Sequence, residues 1–235
     1  MRERFEEKLN KLRDEILTMG SIVEDELSLA LKALKNLDSD LVPQIYQMDK
    51  TVNSKRFAIE AECLALIATQ QPAAQDLRSI VAVMNMIVDL ERMGDQAKGI
   101  GKVIPHIAKY PSQKQPAEIN KMGDLAGDMI RQVMAAYTAH NVDMARQVIA
   151  KDDTMDELYA RLFTQIMHQM AETAHPGKVE ASYEIIRTAR ELERFGDLAT
   201  NIAERIIYIS TGHAHEGNVD PDVVLEQSFE SQPEE

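Results

Sequence analysis

The chain of 235 residues has no tryptophan, one cysteine, five phenylalanines and six tyrosines. A single thiol, Cys63, rules out an intramolecular disulfide and a cysteine-type structural zinc site, and fits a reducing compartment. Glycine and proline are sparse, at ten and eight residues. Asn-Gly and Asp-Gly hairpin signals and alternating β-branched runs are missing, which argues against a sheet. The longest apolar stretches, such as "SIVAVMNMIVD", are too short and interrupted to span a bilayer. The start, "MRERFEEKLNKLRDEI", is charged throughout and lacks the apolar centre of a signal peptide. Positive charge is in deficit: 26 Lys and Arg against 39 Asp and Glu give a net charge of −13. Such a surface repels phosphate backbones, and no basic patch offsets it, so nucleic-acid binding is not expected. The expected location is the cytoplasm, with any membrane association made through a partner.

Catalytic signatures are absent as well. No glycine-rich loop precedes Lys-Ser or Lys-Thr, and the six histidines form no HExxH pattern. His213 and His215 make an HxH, but in a polar, acidic tail. Cys63 falls within "AECLALIA" and reads as a small core residue rather than a nucleophile. The Glu-x-x-His pairs of di-iron bundles are missing. No helix start carries glycine and serine with basic company, so phosphate binding cannot be argued. The chain is not expected to be an enzyme.

What remains is helix vocabulary, arranged twice. Ala, Leu, Ile, Met, Glu and Lys dominate. "DLERMGDQAKGI" at 89–100 returns as "ELERFGDLATNI" at 191–202, with seven of twelve positions identical at an offset of 102. "MG" at 19–20 recurs at 122–123, and "DKTVN" at 49–53 recurs as "DDTMD" at 152–156, both at an offset of 103. "LDSD", 37–40, falls opposite "HNVD", 140–143, where both offer helix N-caps. Two copies of one unit follow.

Each unit reads as three helices. In the first helix, 3–36, Phe5, Leu9, Leu12, Ile16, Met19, Val23, Leu27, Ala30, Leu31 and Leu34 recur at spacings of three and four. Pro43 suits the first turn of the second helix, which runs to 69. "QQPAAQD" breaks the chain before a third helix at 74–110, and "PSQKQP" links the units. The remaining helices are expected at 117–139, 142–174 and 178–210. The expectation is an all-α fold of two tandem three-helix bundles with an elongated outline. Residues 1–110 form the first unit, 117–212 the second, and 213–235 a disordered acidic tail. Thirteen methionines, among them Met84, Met134 and Met170, read as core filler, and Met93 matches Phe195 as a packing position.

The repeated acids carry the functional signal. Leu90, Gly94 and Ala97 share one core-facing line, as do Leu192, Gly196 and Ala199. Glycine in mid-helix costs about 1 kcal/mol relative to alanine, so its repetition predicts close approach by another helix. Glu91 and Asp95, and likewise Glu193 and Asp197, lie roughly 110° round from that line, on the bundle flank. Like charges one turn apart are unfavourable by about 0.2–0.5 kcal/mol. A hard cation such as Mg²⁺, Mn²⁺, Ca²⁺ or iron would resolve the conflict. Two carboxylates do not fill a coordination shell, so Asp49, opposite Asp152, and Asn53, opposite Asp156, are expected as the second source from a neighbouring helix. Asn53 leaves the first set one charge short. The competing reading is a solvated salt-bridge network with Arg92, Arg190 and Arg194.

"LERMGDQA" and "LERFGDLA" in tandem helical units, with "QQPAAQDLR" and "TNIAERIIYISTG", resemble the PhoU family from about Phe5 to Gly212. The resemblance implies a cytoplasmic, dimeric negative regulator of phosphate uptake and the phosphate-starvation response. Its implied partners are the ATPase subunit of the phosphate transporter, a sensor kinase and the response regulator. The resemblance also implies metal at the family's motif, here Glu91, Asp95, Glu193 and Asp197, with iron, zinc, manganese or magnesium as candidates. The alternative is a metal-free helical scaffold with solvated acidic faces.

Overall fold

The computed structural model describes residues 2–110, 115–173 and 175–212. The proposed tail, with His213 and His215, and most of the inter-unit linker lie outside the described residues. Helices α1 (Arg2–Asn36), α2 (Val42–Gln70), α3 (Ala74–Ile107), α4 (Ala117–Ala139), α5 (Val142–Ile149), α6 (Asp152–Glu172) and α7 (Pro176–Thr211) account for nearly all of them, with a 3₁₀ turn at Ser39–Leu41. No strand occurs among the described residues. None of their helices is long and apolar enough to cross a membrane.

The breaks fall where local chemistry puts them. Leu37 takes a left-handed conformation, and the Asp38 carboxylate then accepts from the Asp40 N–H to start the 3₁₀ turn. Pro43 occupies the first turn of α2. Asn141 caps α5 by accepting from the Met144 N–H at 3.0 Å.

One expected helix is two. The run 142–174 is interrupted at Ala150 and Lys151, where tight backbone turns redirect the chain. Asp152 and Asp153 then occupy the first turn of α6. Acids are favoured there by the exposed N–H groups and the helix dipole. "KDD" is therefore a helix start inside an otherwise periodic run.

Along α1, the face carrying Leu12, Ile16, Met19, Val23, Leu27, Ala30 and Leu34 is buried. α2 covers α1 and α3, while α5 and α6 cover α4 and α7. The two units do not stand end to end. α3 and α7 run antiparallel along their whole length, from Arg78 beside Gly212, through Gly99 against the Glu191 carboxylate, to Tyr110 over Gly177. α1 and α4 form a second antiparallel seam, with Glu24 and Arg131 at 3.4 Å and Leu31 against Gly123. The buried residues of both units belong to one hydrophobic cluster. The expected elongated outline gives way to a side-by-side arrangement, because α3 and α7 each carry apolar residues on more than one face.

Met84, Met134 and Met170 pack at the rim of that core, and Met93 and Phe195 are fully buried within it. Cys63 is fully buried, and burial with nearby Glu62 and Glu60 pushes its thiol up to about 12. It has no thiolate to offer as a nucleophile at neutral pH.

Candidate metal centres

Leu90, Gly94 and Ala97 of α3, and Leu192, Gly196 and Ala199 of α7, are all buried, as their shared line requires. The glycines differ in purpose. A β-carbon on Gly94 would lie 3.3 Å from Glu26 Oε2 and 3.4 Å from Val52 Cγ1. On Gly196 the nearest atoms would be those of Met155 and Met129, no closer than 3.5 Å, an ordinary contact. Side chains, not a neighbouring backbone, fill both places, so the expected close helix approach is replaced by side-chain packing.

The acids flanking these lines form two grooves, one between α2 and α3 and one between α6 and α7. In the first, Asp49 is buried and accepts from Lys98 Nζ at 2.8 Å. Asp95, exposed on the outer side, lies 3.3 Å from the same ammonium. Glu91 is partly buried and lies 3.3 Å from Arg56 Nε, an ion pair without hydrogen-bond alignment. Asn53 donates from Nδ2 to Asp49 Oδ2 at 3.4 Å. The hydrogen bond that Lys98 donates to Asp49 raises the pKa of the lysine and keeps it charged. Lys98 thus ties α2 to α3 between the two sets of acids.

Among the described residues, the second groove holds no such internal cation. At the position of Lys98 stands Thr200, and at that of Arg56 stands Tyr159. Burial raises the pKa of Asp152 to about 6, reinforced by Asp197, Asp156, Asp153 and Glu193. Burial, and then repulsion from Asp197, raises Glu193. Asp197 is raised by burial and by Asp156. From the rim, exposed Arg190 lies 3.3 Å from Glu193 Oε1, and Arg190 and Arg194 oppose the rise in Glu193 and Asp197. Asp152 Oδ1 and Glu193 Oε2 are buried with no hydrogen-bond partner.

Orphaned carboxylate oxygens and an oxygen-only donor set suit a hard divalent cation or iron. Among the described residues, no three carboxylate, histidine or cysteine groups are already converged as a ligand set.

Of the expected salt-bridge arginines, Arg190 reaches Glu193, while Arg92 turns instead to Asp89, at 3.9 Å. Three residues escape a reading that starts from ExxxD alone: Arg56, Lys98 and Glu26. Glu26 is fully buried on α1, and neither of its oxygens has a hydrogen-bond partner. Burial raises its pKa to about 9, reinforced by Asp49 and opposed by Lys98. The signal was a charge inside the apolar stripe of Val23, Leu27 and Ala30, at the place that Met129 holds in the second unit.

The PhoU domain model matches residues 16–104 and again 119–206. The phosphate-specific transport system accessory protein PhoU homolog of Clostridium acetobutylicum is 35% identical over 90% of this chain and 96% of its own. The accessory protein PhoU of Escherichia coli is 33% identical over 94% of this chain and 92% of its own. Among solved structures, the phosphate transport system regulatory protein PhoU from Streptococcus pneumoniae superposes with a TM-score of 0.84 at 30% identity, covering 90% of this chain and 99% of that one. PhoU from Pseudomonas aeruginosa also gives 0.84, at 32% identity, covering 89% and 100%.

Proposed function

The chain belongs to the PhoU family, and on that premise we propose that it is a metal-binding negative regulator of phosphate uptake and starvation signalling. It acts by contact, from the cytoplasm and as a homodimer, between the ATPase subunit of a phosphate transporter and a sensor kinase with its response regulator. Two grounds support the accessory role: the relatives named for a phosphate-specific transport system match over nearly their full length, and the fully buried Cys63 is no nucleophile.

The observation that carries the metal reading is the second groove, where Asp152, Asp156, Glu193 and Asp197 repel one another and only the exposed Arg190 and Arg194 oppose them among the described residues. Glu193 and Asp197 would hold the ion from α7, and Asp152 and Asp156 from α6. In the first groove Glu91, Asp95 and Asp49 take these places. A bound divalent cation or iron supplies positive charge that reverses the local potential of an acidic face. The protein's own part is to hold the carboxylates on rigid helices and to present that face to a partner.

Arg56 and Lys98 favour a second reading for the first groove, as a metal-free ion-pair network. Deleting the gene separates regulation from mere scaffolding: starvation-response genes are expected to stay expressed in abundant phosphate. The purified protein is expected to retain the transporter's ATPase subunit or the sensor kinase, more weakly after chelation. Normal repression in the deletion strain, with no binding to either partner, overturns the proposal.

A further inference from the structure

The two units differ in where they keep their acids. At an offset of 103, the first unit has Asn53 where the second has Asp156, and Glu26 where the second has Met129. The first unit has lost a carboxylate from α2 and gained one from α1. A buried acid in place of methionine is unfavourable unless something answers it; Lys98 opposes its pKa rise through space, but among the described residues neither oxygen of Glu26 has a hydrogen-bond partner. The side chain is fully buried and lies against Gly94, in the middle of the Glu91–Asp95 turn. A β-carbon at that position would stand only 3.3 Å from Glu26 Oε2, so glycine leaves the carboxyl group its room. Asp49 and Asp95 approach the same region from α2 and α3, held by one ammonium at 2.8 and 3.3 Å.

We propose that Glu26 is an inward ligand of the first-unit cation site, replacing the carboxylate missing at Asn53, and that Lys98 is the internal competitor a bound cation displaces. The inference rests on the acidic grooves being cation sites. It gives each unit four carboxylates: Glu26, Asp49, Glu91 and Asp95 in the first, and Asp152, Asp156, Glu193 and Asp197 in the second. The first site is then deeper, because it draws on α1 as well as α2 and α3. It is also weaker until Lys98 leaves, since the ammonium already neutralises Asp49 and Asp95. The second site has Thr200 in the place of Lys98, and the arginine that reaches it, Arg190, is exposed at the rim rather than between the acids.

The test is calorimetric titration of Mn²⁺ into chelator-stripped full-length chain carrying Asp152→Asn and Glu193→Gln, so that only the first site reports. Glu26→Met, which installs the residue of the second unit, is expected to weaken binding about tenfold or more, on the scale of lost metal-site partners. The same substitution is expected to raise the melting temperature of the metal-free protein. Glu26→Gln, which keeps size and polarity, is expected to weaken binding as well. Lys98→Thr is expected to tighten it. Unchanged affinity in both Glu26 variants makes Glu26 a buried acid without a ligand's role and overturns the proposal. Unchanged affinity in Lys98→Thr overturns the competitor's role. If the unaltered chain binds no Mn²⁺ at all, the cation reading of both grooves fails, and this inference with it.

Discussion

Glu26 Oε2 lies 3.3 Å from where a β-carbon on Gly94 would stand, and neither oxygen of that carboxylate meets a donor. The pairing has a thermodynamic signature. Burial raises the acid from its ordinary 4.5 to about 9. Between those values the unfolded chain releases the proton and the folded chain keeps it, so folding takes up a proton and stability falls as pH rises. The full stability is present below the lower value and is lost progressively toward the upper one. At pH 7 the linkage is worth on the order of 3 kcal/mol. Glu26→Met is expected to raise stability by that order at pH 7 and to flatten its pH dependence. Urea unfolding at several pH values checks this. A slope unchanged by the substitution would show that Glu26 does not carry it.

Asp152 behaves in the same direction on a smaller scale. Its folded value of about 6 stands above the ordinary 3.8. Stability is therefore lost between those two values as pH rises, and Asp152→Asn is expected to recover part of it at neutral pH. Metal reverses the sign of this effect, because a bound cation favours the ionised carboxylate. Melting curves with and without Mn²⁺ at pH 5 and pH 8 are expected to show the larger metal-induced rise at pH 8.

Lys98 is the counterpart case. Removing it as Lys98→Met leaves Asp49, which is 4% exposed, without its ammonium. Breaking a buried pair from one side costs roughly 3–5 kcal/mol, less here because about a quarter of the lysine side chain is in water. Destabilisation of roughly 1–3 kcal/mol is expected in the metal-free protein, and Asp49→Asn in the same chain is expected to recover most of it. A double-mutant cycle in urea measures the coupling.

Cys63 supplies a simple check on the core. A fully buried thiol pushed up to about 12 is expected to be silent to a thiol reagent in the native protein. In denaturant, one thiol per chain is expected to react. Rapid native reaction would contradict the packing of α2 described above.

Much of the fold was legible in the sequence, because helix periodicity is local. The apolar stripe of α1, the breaks around Asp38 and Gln71 and the internal repeat needed only neighbours within a few residues. The division of α5 from α6 is masked by apolar periodicity that runs through Ala150, although Asp152 and Asp153 mark a helix start. The seam between α3 and α7 is long-range and leaves only a weak trace, in buried positions on more than one helix face. At the site, the acids Glu91, Asp95, Glu193 and Asp197 stood out by repetition. Glu26, Arg56 and Lys98 did not, since they are what the repeats do not share.

The seam also predicts that the first unit does not fold as a cooperative body by itself. A fragment of residues 1–110 lacks α7, against which Gly99, Ile107 and Tyr110 of the full chain are packed. It is expected to bind a hydrophobic dye and to unfold without a sharp transition, unlike the full chain. A sharp, dye-free transition in the fragment would make the units independent.

The most direct test is elemental analysis of the protein purified with neither added metal nor chelator. The comparison is the variant carrying Glu91→Gln, Asp95→Asn, Glu193→Gln and Asp197→Asn, with circular dichroism confirming equal helicity. The account predicts iron or a divalent metal in amounts comparable to the protein, lost from the variant. The same trace of metal in both would contradict it and leave two acidic grooves that solvent and arginines balance.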